Sequence, residues 1–280
     1  MMGRALAAAL AGLLLTACTD DVPVNETSLY TVTGEIGAIP TVVLERPLPF
    51  SDPTVEILIE GDGQEIGDNM ALLSITTFSG TDGAIVGVPA EPSLVQPADI
   101  SFDGALRAAL IEATEGSRIA ETWAVAGEDG GKQMEIVVVD VLPTIATGEP
   151  QQIDFAAENL PEVSGDLAPE ATIGEGTREP SELRALALLK GAGTQVLPGD
   201  DVYAQYTVWE WDTGEIVDST WEAGGVPTMI EIDDAFPGLR DGILDQTVGS
   251  RVLVLIPPDQ GIGTDSLVAI VDILAVGRAS

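Results

Sequence analysis

Few side chains in this sequence could act as nucleophiles or bases. Histidine is absent, Cys18 is the only cysteine, and 46 acids stand against 11 Lys and Arg. Without histidine the chain cannot build a Ser-His-Asp or Cys-His nucleophile or the usual zinc site, and no disulfide can form within it. No Asp-x-Asp-x-Asp-Gly loop, Walker loop or GxGxxG motif after a strand occurs. Most familiar enzyme classes are therefore excluded, and we predict no metal and no cofactor.

Cys18 marks the end of a segment that resembles a bacterial lipoprotein signal. Arg4 is the only charge before an apolar run over 5–15, which is too short to span a bilayer. A Leu-Thr-Ala-Cys motif resembling a lipobox closes the run, so acylation of Cys18 is expected. This predicts a signal peptide over 1–17, an acidic tether over 18–30, and a secreted protein anchored by lipid to the outer face of the bacterial cell membrane. The alternative is a plain secretory signal with an incidental cysteine.

The formal net charge is −35. Such a chain repels nucleic acid and anionic lipid headgroups, so we predict no nucleic-acid partner. A well-spread acidic surface is also a common solubility device, and no block of five like charges indicates a binding site.

Two parts of the sequence repeat one pattern at a nearly constant offset. The matching pieces, 131 to 133 residues apart, are 83–86 with 214–217, 106–107 with 239–240, 116–118 with 249–251, and 140–142 with 272–274. This period is too long for a solenoid unit, so each copy should be a domain with its own core.

The expected domain limits follow from composition. We place the first domain at 31–145, a Pro/Glu/Gly-rich linker at 146–180 and the second domain at 181–280. Part of the linker should still be ordered, because 150–155 parallels 40–44 at the start of the first copy. Each copy is therefore expected to open with a short extended lead-in.

Periodicity in the second copy predicts an α+β fold. Strands are predicted at 183–190, 202–211, 251–256 and 267–274 from alternating or β-branched apolar runs. One segment, 237–247, is predicted as a helix, because Phe236, Leu239 and Ile243 follow helical spacing. An antiparallel sheet with one short helix on its face is the expected layer arrangement.

Seven short motifs recur in order along the second copy: Gly-Asp-Asp-Val at 199–202, Tyr-Thr at 206–207, Asp-Thr-Gly at 212–214, Val-Asp-Ser-Thr at 217–220, Phe-Pro-Gly-Leu at 236–239, Val-Gly-Ser-Arg at 248–251 and Ile-Pro-Pro-Asp at 256–259. In order and spacing they resemble the pattern of FKBP-type peptidyl-prolyl cis-trans isomerases. The resemblance covers about 191–275 and extends weakly to the first copy. It implies two FKBP-like domains, each an antiparallel sheet wrapped around a short helix, with an apolar pocket for a proline ring.

The resemblance also implies a site. Tyr206 would line the cavity and offer its hydroxyl, Asp218 would lie at the rim near the twisting carbonyl, and Phe236 would form a wall. The remaining substrate-binding positions would be Val217, Leu239, Ile262 and Ala269. At these four positions the family usually has Phe, Trp, Tyr and Phe, and each lost aromatic ring weakens proline binding by about 1 kcal/mol.

From the residues alone, simpler readings stay open. Tyr206 could be an ordinary core residue and Asp218 could cap a turn. Phe236 and Leu239 would pack the helix onto the sheet under either hypothesis.

The first copy departs further from the pattern. Gly87 replaces the carboxylate, Asp103 replaces the phenylalanine, and Ser74 or Ile75 replaces the tyrosine. A carboxylate where a pocket needs a ring argues against proline binding. We therefore interpret the first domain as degenerate, serving as a spacer, a docking module or a chaperone surface.

Two functional classes follow. The first is a membrane-anchored, extracytoplasmic prolyl isomerase that assists folding of exported proteins, acts slowly, and takes proline-containing polypeptides as clients. The second is a non-catalytic FKBP-like module that binds proteins or acts as a chaperone. Fold alone cannot choose between them.

Overall fold

The computed structural model describes residues 29–88, 91–99, 104–127 and 130–278. Within these ranges the chain contains the same arrangement twice, a small hairpin on one side of an antiparallel sheet and a short helix on the other. No helix among the described residues is both long and apolar enough to cross a membrane.

The first copy contains seven strands and one helix. Its elements are β1 (Tyr30–Thr33), β2 (Thr41–Leu44), β3 (Thr54–Ile59), β4 (Ala71–Ser79), β5 (Ser93–Val95), α1 (Gly104–Glu112), β6 (Arg118–Ala126) and β7 (Lys132–Leu142). Strands β1 and β2 form the hairpin, and the five-stranded sheet has the order β3-β6-β7-β4-β5.

The second copy repeats these elements with additions. Its elements are β8 (Glu149–Pro150), α2 (Phe155–Glu158), β9 (Glu162–Ser164), β10 (Glu170–Thr172), β11 (Arg184–Lys190), β12 (Asp200–Glu210), β13 (Ile216–Ser219), β14 (Thr228–Glu231), α3 (Pro237–Ile243), β15 (Arg251–Ile256) and β16 (Leu267–Arg278). Short 3-10 turns lie at Pro97–Asp99, Ile232–Asp234 and Pro258–Gln260.

The two sheets share one strand order. The series β11-β15-β16-β12-β14 in the second copy corresponds to β3-β6-β7-β4-β5 in the first, and every neighbouring pair is antiparallel. Register agrees as well, because Arg118 faces Asp140 in the first copy as Arg251 faces Asp272 in the second. The predicted α+β class, with two antiparallel sheets and a short helix on each, is confirmed.

Each sheet buries both faces. One face packs against the helix, and in the second copy this core contains Leu239 and Ile243 from α3. The other face is covered by the hairpin, as where Trp209 and Leu253 meet Val163 of β9. A sheet apolar on both faces explains why its central strands are nearly continuous apolar runs.

The second hairpin, β9 and β10, lies inside the segment predicted as a linker. Residues 146–180 also contain β8 and α2. Most of their large apolar side chains, including Phe155, Val163 and Ile173, pack onto the outer face of the sheet. The segment is thus ordered by the sheet it covers, as composition alone could not show. The domain limits stay predictions.

A buried ion pair ties each hairpin to its sheet. The Arg251 guanidinium lies 2.6 Å from Asp272 and donates to the carbonyls of Gly165 and Asp166 in the turn between β9 and β10. In the first copy, Arg118 is paired with Asp140 and donates to the equivalent hairpin turn. The same two residue types therefore make the same contact in both copies.

Two predicted element ends differ from the structure by four residues each, and the other predicted ends differ by two residues or fewer. The helix predicted to Thr247 ends at Ile243, because Leu244 takes extended dihedrals and Asp245 adopts a positive φ of 64°. The strand predicted to end at Leu274 continues to Arg278, because its last residues pair with the start of β12 through Gly277 and Asp201. Pairing with β12 therefore outweighs the low strand propensity of Gly277.

Candidate functional site

Tyr206 lies on the face of β12 that α3 covers. Residues of this strand alternate between faces, and Ala204 and Val208 on the same face are buried while Tyr206 is half-buried against them. Its backbone is fixed to the turn after β13, where the Tyr206 N–H donates to Thr220 Oγ1 at 2.9 Å and the Thr220 N–H donates to the Tyr206 carbonyl at 3.0 Å. The ring is therefore held at the edge of the core.

Asp218 on β13 meets the hydroxyl of that ring. Tyr206 Oη donates to Asp218 Oδ2 at 2.7 Å, and the Asp218 side chain is exposed. Burial, followed by this hydrogen bond and the charge of Asp218, raises the pKa of Tyr206 to about 12. The phenol therefore keeps its proton at neutral pH, and a carboxylate stands at the mouth of the site.

Val217 is the extra residue of a β-bulge beside this pair. Trp209 pairs with Ile216, but Val208 pairs with Asp218, so Val217 has no partner on β12. Its side chain is 47% exposed. Bulges recur beside functional sites because they redirect side chains, and this one places an apolar group next to the carboxylate.

The floor of the site comes from α3 and β16. Leu239 is 5% exposed and Ala269 is fully buried, both in the core cluster against which Phe236 packs. Pro237 starts the helix, where a missing N–H costs nothing. The floor is apolar, but it contains small or aliphatic residues instead of aromatic rings.

A pair of glycines brings the helix close to β15. A Cβ added at Gly238 would collide with Ile256 Cγ2, and one at Gly242 would lie 2.5 Å from Val254 Cγ1. The spacing of four residues puts both glycines on one face of α3. Sequence reasoning missed this role, although the Gly-x-x-x-Gly spacing was visible.

The seven candidate residues are not equally close to one another. Four share one apolar cluster: Tyr206, Phe236, Leu239 and Ala269. Asp218 joins them through its hydrogen bond, and Val217 is its chain neighbour. Ile262, at 54% exposure, stands on the loop after the last 3-10 turn and outside that cluster.

This arrangement offers no nucleophile with an adjacent base. It offers an apolar floor, one phenol and one rim carboxylate. Among the described residues, no three His, Cys, Asp or Glu side chains converge on a position that could hold a metal ion. Such a site is suited to binding and reshaping a substrate without making or breaking a bond.

The first copy lacks the polar pair. Strand register identifies Ile75 as the counterpart of Tyr206, since Ser74 faces Asp140 as Gln205 faces Asp272. Gly87, at the Asp218 position, has a φ of 75° and no side chain to offer. Asp103, predicted to replace the phenylalanine, lies outside the described residues.

A cleft of about 1080 Å³ separates the two copies. It is lined mainly by turn residues such as Gly37, Gly116, Gly191 and Val248. None of the seven candidate residues lines it. The candidate site therefore lies outside this cleft, on the face of the second sheet that α3 covers.

Comparisons with known proteins concern mainly the second copy. The family model described as FKBP-type peptidyl-prolyl cis-trans isomerase matches residues 193–271. A curated relative from Corynebacterium glutamicum, named probable FK506-binding protein, is 28% identical over 105 residues, which are 34% of this chain and 88% of the relative.

Solved structures are similar at low identity. The crystal structure of FkpA from Escherichia coli shares 23% identity, with a TM-score of 0.33, over 38% of this chain and 54% of that one, so the chain spans about half of its length. The three FKBP domains of wheat FKBP73 share 16% identity, with a TM-score of 0.32, over 81% of this chain and 95% of that one. The residues matched by the FKBP-type peptidyl-prolyl cis-trans isomerase model, 193–271, include all seven candidate residues.

Proposed function

We propose that the second domain catalyses prolyl cis-trans isomerisation slowly, and that the chain does so from a lipid anchor outside the cytoplasm, assisting exported proteins as they fold. The observation that carries the activity is the bond from Tyr206 to Asp218 at the edge of an apolar floor, within the region that matches the family. The anchor rests on Cys18 and the sequence before it, which lie outside the described residues.

The chemistry suits this site. Rotation about a prolyl amide faces a barrier of about 18–20 kcal/mol, because the resonance of the planar amide must be broken. No bond forms or breaks, so no nucleophile is needed. An apolar surface formed by Leu239 and Ala269 would favour the twisted amide, which separates less charge than the planar one. Tyr206 and Asp218 would hold the groups beside the turning bond.

A slow rate is expected from the floor and walls. Leu239 and Ala269 give less contact area than the aromatic rings usual in the family, and Val217 and Ile262 are about half exposed. These observations also favour the second candidate, a binding module that keeps the fold without the activity.

The test is isomerisation of a prolyl peptide by the full chain carrying Cys18→Ser, measured by exchange NMR without a protease. Tyr206→Phe should lower kcat/KM about five- to tenfold, equivalent to about 1–1.4 kcal/mol for one lost hydrogen bond. Tyr203→Phe is the matched control, since Tyr203 is on the same strand but packs in another cluster. It should change kcat/KM by less than about twofold.

Two results would count against this proposal. Activity that survives Tyr206→Phe unchanged would place catalysis elsewhere, including in the first domain. A folded chain that binds the peptide without accelerating its isomerisation would favour the binding module.

A further inference from the structure

The loops around the candidate site are acidic and carry almost no free cation. Residues 200–268 contain fourteen Asp and Glu but only two arginines. Arg251 is buried in its pair with Asp272, and Arg240 lies 2.8 Å from Asp241. No cation in this part of the described chain is therefore left to offset the acids near the pocket.

The outer hairpin segment of the second copy is acidic as well, since residues 149–172 contain six acids and no cation. Residues 173–190, which run from the outer hairpin into β11, contain three acids and three cations. Residues 200–268, which build the site, have no such local balance of charge.

Three loops position the acids. The loop after β13 follows Asp218 directly, the 3-10 turn at Ile232–Asp234 leads into Phe236, and the loop between β15 and β16 contains Ile262. Their exposed carboxylates are Asp218, Glu222, Asp233, Asp234, Asp259 and Asp265. They do not converge on one point, since no metal-holding group of acids forms among the described residues.

We propose that this acidic rim makes the site select prolyl segments that carry Lys or Arg within two or three residues of the proline, and disfavour segments with Asp or Glu there. The inference rests on the proposed function. It adds the class of substrate that the site accepts.

The distances favour such a preference. An extended peptide advances roughly 3.3–3.6 Å per residue, so a residue two positions from the proline lies roughly 7 Å from the floor. That is within one Debye length, about 8 Å at 0.15 M salt. A cationic side chain there would experience the potential of several rim carboxylates, and an anionic one would be repelled.

The experiment compares three prolyl peptides that differ only in flanking Lys, Ala or Glu. Exchange NMR on the full chain with Cys18→Ser gives kcat/KM at about 0.01 M and about 1 M salt. We expect Lys to exceed Glu roughly tenfold at low salt, with Ala between, because steering of a charged substrate gains about 10-fold or more. At high salt the ratio should fall below about twofold.

Two double variants that reverse charges show which acids cause the preference for the Lys peptide. Glu222→Lys with Asp259→Lys changes the rim and should reduce the Lys-to-Glu ratio to near one while leaving the Ala peptide within about twofold. Glu162→Lys with Glu170→Lys makes the same change in net charge on the hairpin, which covers the opposite face of the sheet. It should leave the ratio unchanged.

Equal kcat/KM for the Lys and Glu peptides at low salt would overturn the proposal, as would an equal effect of the rim and hairpin variants. If no peptide is turned over, the proposed isomerase activity fails instead. Peptide affinities from NMR titration then test the preference. Affinity that falls in the order Lys, Ala, Glu supports the proposal, and equal affinities for the three peptides overturn it.

Discussion

A single hydrogen bond distinguishes the two copies at the residue scale. Tyr206 and Asp218 are joined in the second copy, whereas Ile75 and Gly87 stand at the same positions of the first. A phenol that is half-buried beside a carboxylate is costly to ionise. Its hydroxyl therefore remains a hydrogen-bond donor far above neutral pH.

The pKa of Tyr206 should depend on Asp218. Burial is the largest cause of its rise to about 12, and the hydrogen bond and charge of Asp218 follow. Asp218→Asn removes the charge but not the burial, so the pKa should fall part of the way back toward 10.0. Titration of a ¹³C label at tyrosine Cζ, with Tyr206→Phe assigning the resonance, measures it. An unchanged pKa in Asp218→Asn would show that the carboxylate does not act on the ring.

The same pKa sets a limit on alkaline stability. The folded-state pKa of Tyr206 lies above the unfolded value, so its contribution is fully present below pH 10 and is lost as pH rises to about 12. Burial also raises the pKa of Tyr30 and of Tyr203, which adds to the loss in the same direction.

At the scale of elements, the contact between α3 and β15 depends on two glycines. Gly238→Ala would force a methyl group into Ile256, so we expect the free energy of unfolding to fall by about 1–3 kcal/mol. Because α3 supplies Leu239 to the candidate site, we also expect weaker binding of prolyl peptides. Gly104→Ala is the matched control at the start of α1, where nothing lies within 4 Å of an added Cβ. Urea unfolding compares the two variants. Equal free energies of unfolding for the two variants would contradict a close contact between α3 and β15.

A second element-scale prediction concerns the hairpin and its ion pair. Arg251→Met leaves Asp272 buried without its cation and should cost about 3–5 kcal/mol, whereas adding Asp272→Leu should restore much of that loss. Arg240→Met breaks a solvent-exposed pair and should cost less than about 1 kcal/mol. Urea unfolding followed by tryptophan fluorescence reports this well, because Trp209 and Trp211 lie under the hairpin. If Arg251→Met lowered the free energy of unfolding no more than Arg240→Met does, the ion pair of Arg251 with Asp272 would not hold the hairpin to its sheet.

Elements of the second copy were predictable where pattern and packing agree. Alternation identified the face of β12 that carries Tyr206, and helical spacing identified the start of α3. The ion pair of Arg251 with Asp272 was not predictable as a contact, although both residues lie in repeated motifs, because strand register depends on the whole sheet. The hairpin over residues 162–172 was missed because it has too few apolar residues to order itself. The bulge at Val217 leaves no clear mark in an alternating sequence.

At the scale of the whole molecule, membrane attachment should depend on Cys18. No described helix could span a bilayer, and several acyl chains on one cysteine would suffice to anchor a protein. Cys18→Ser should move the chain from the membrane fraction to the soluble fraction with unchanged circular dichroism. If the variant stayed with membranes after a salt wash, another attachment would be required.

The hairpins also fix an order of assembly. Arg251 comes 85 and 86 residues after the carbonyls it binds, so the second hairpin cannot be tied to its sheet until most of the second copy is present. The first copy is complete once Leu142 has been made, before any strand of the second sheet exists. It therefore presents Leu72 and Leu142 as a finished surface on which Leu274 and Ala275, near the end of the last strand, dock. A copy without the tyrosine–aspartate pair would thus still guide the folding of its neighbour.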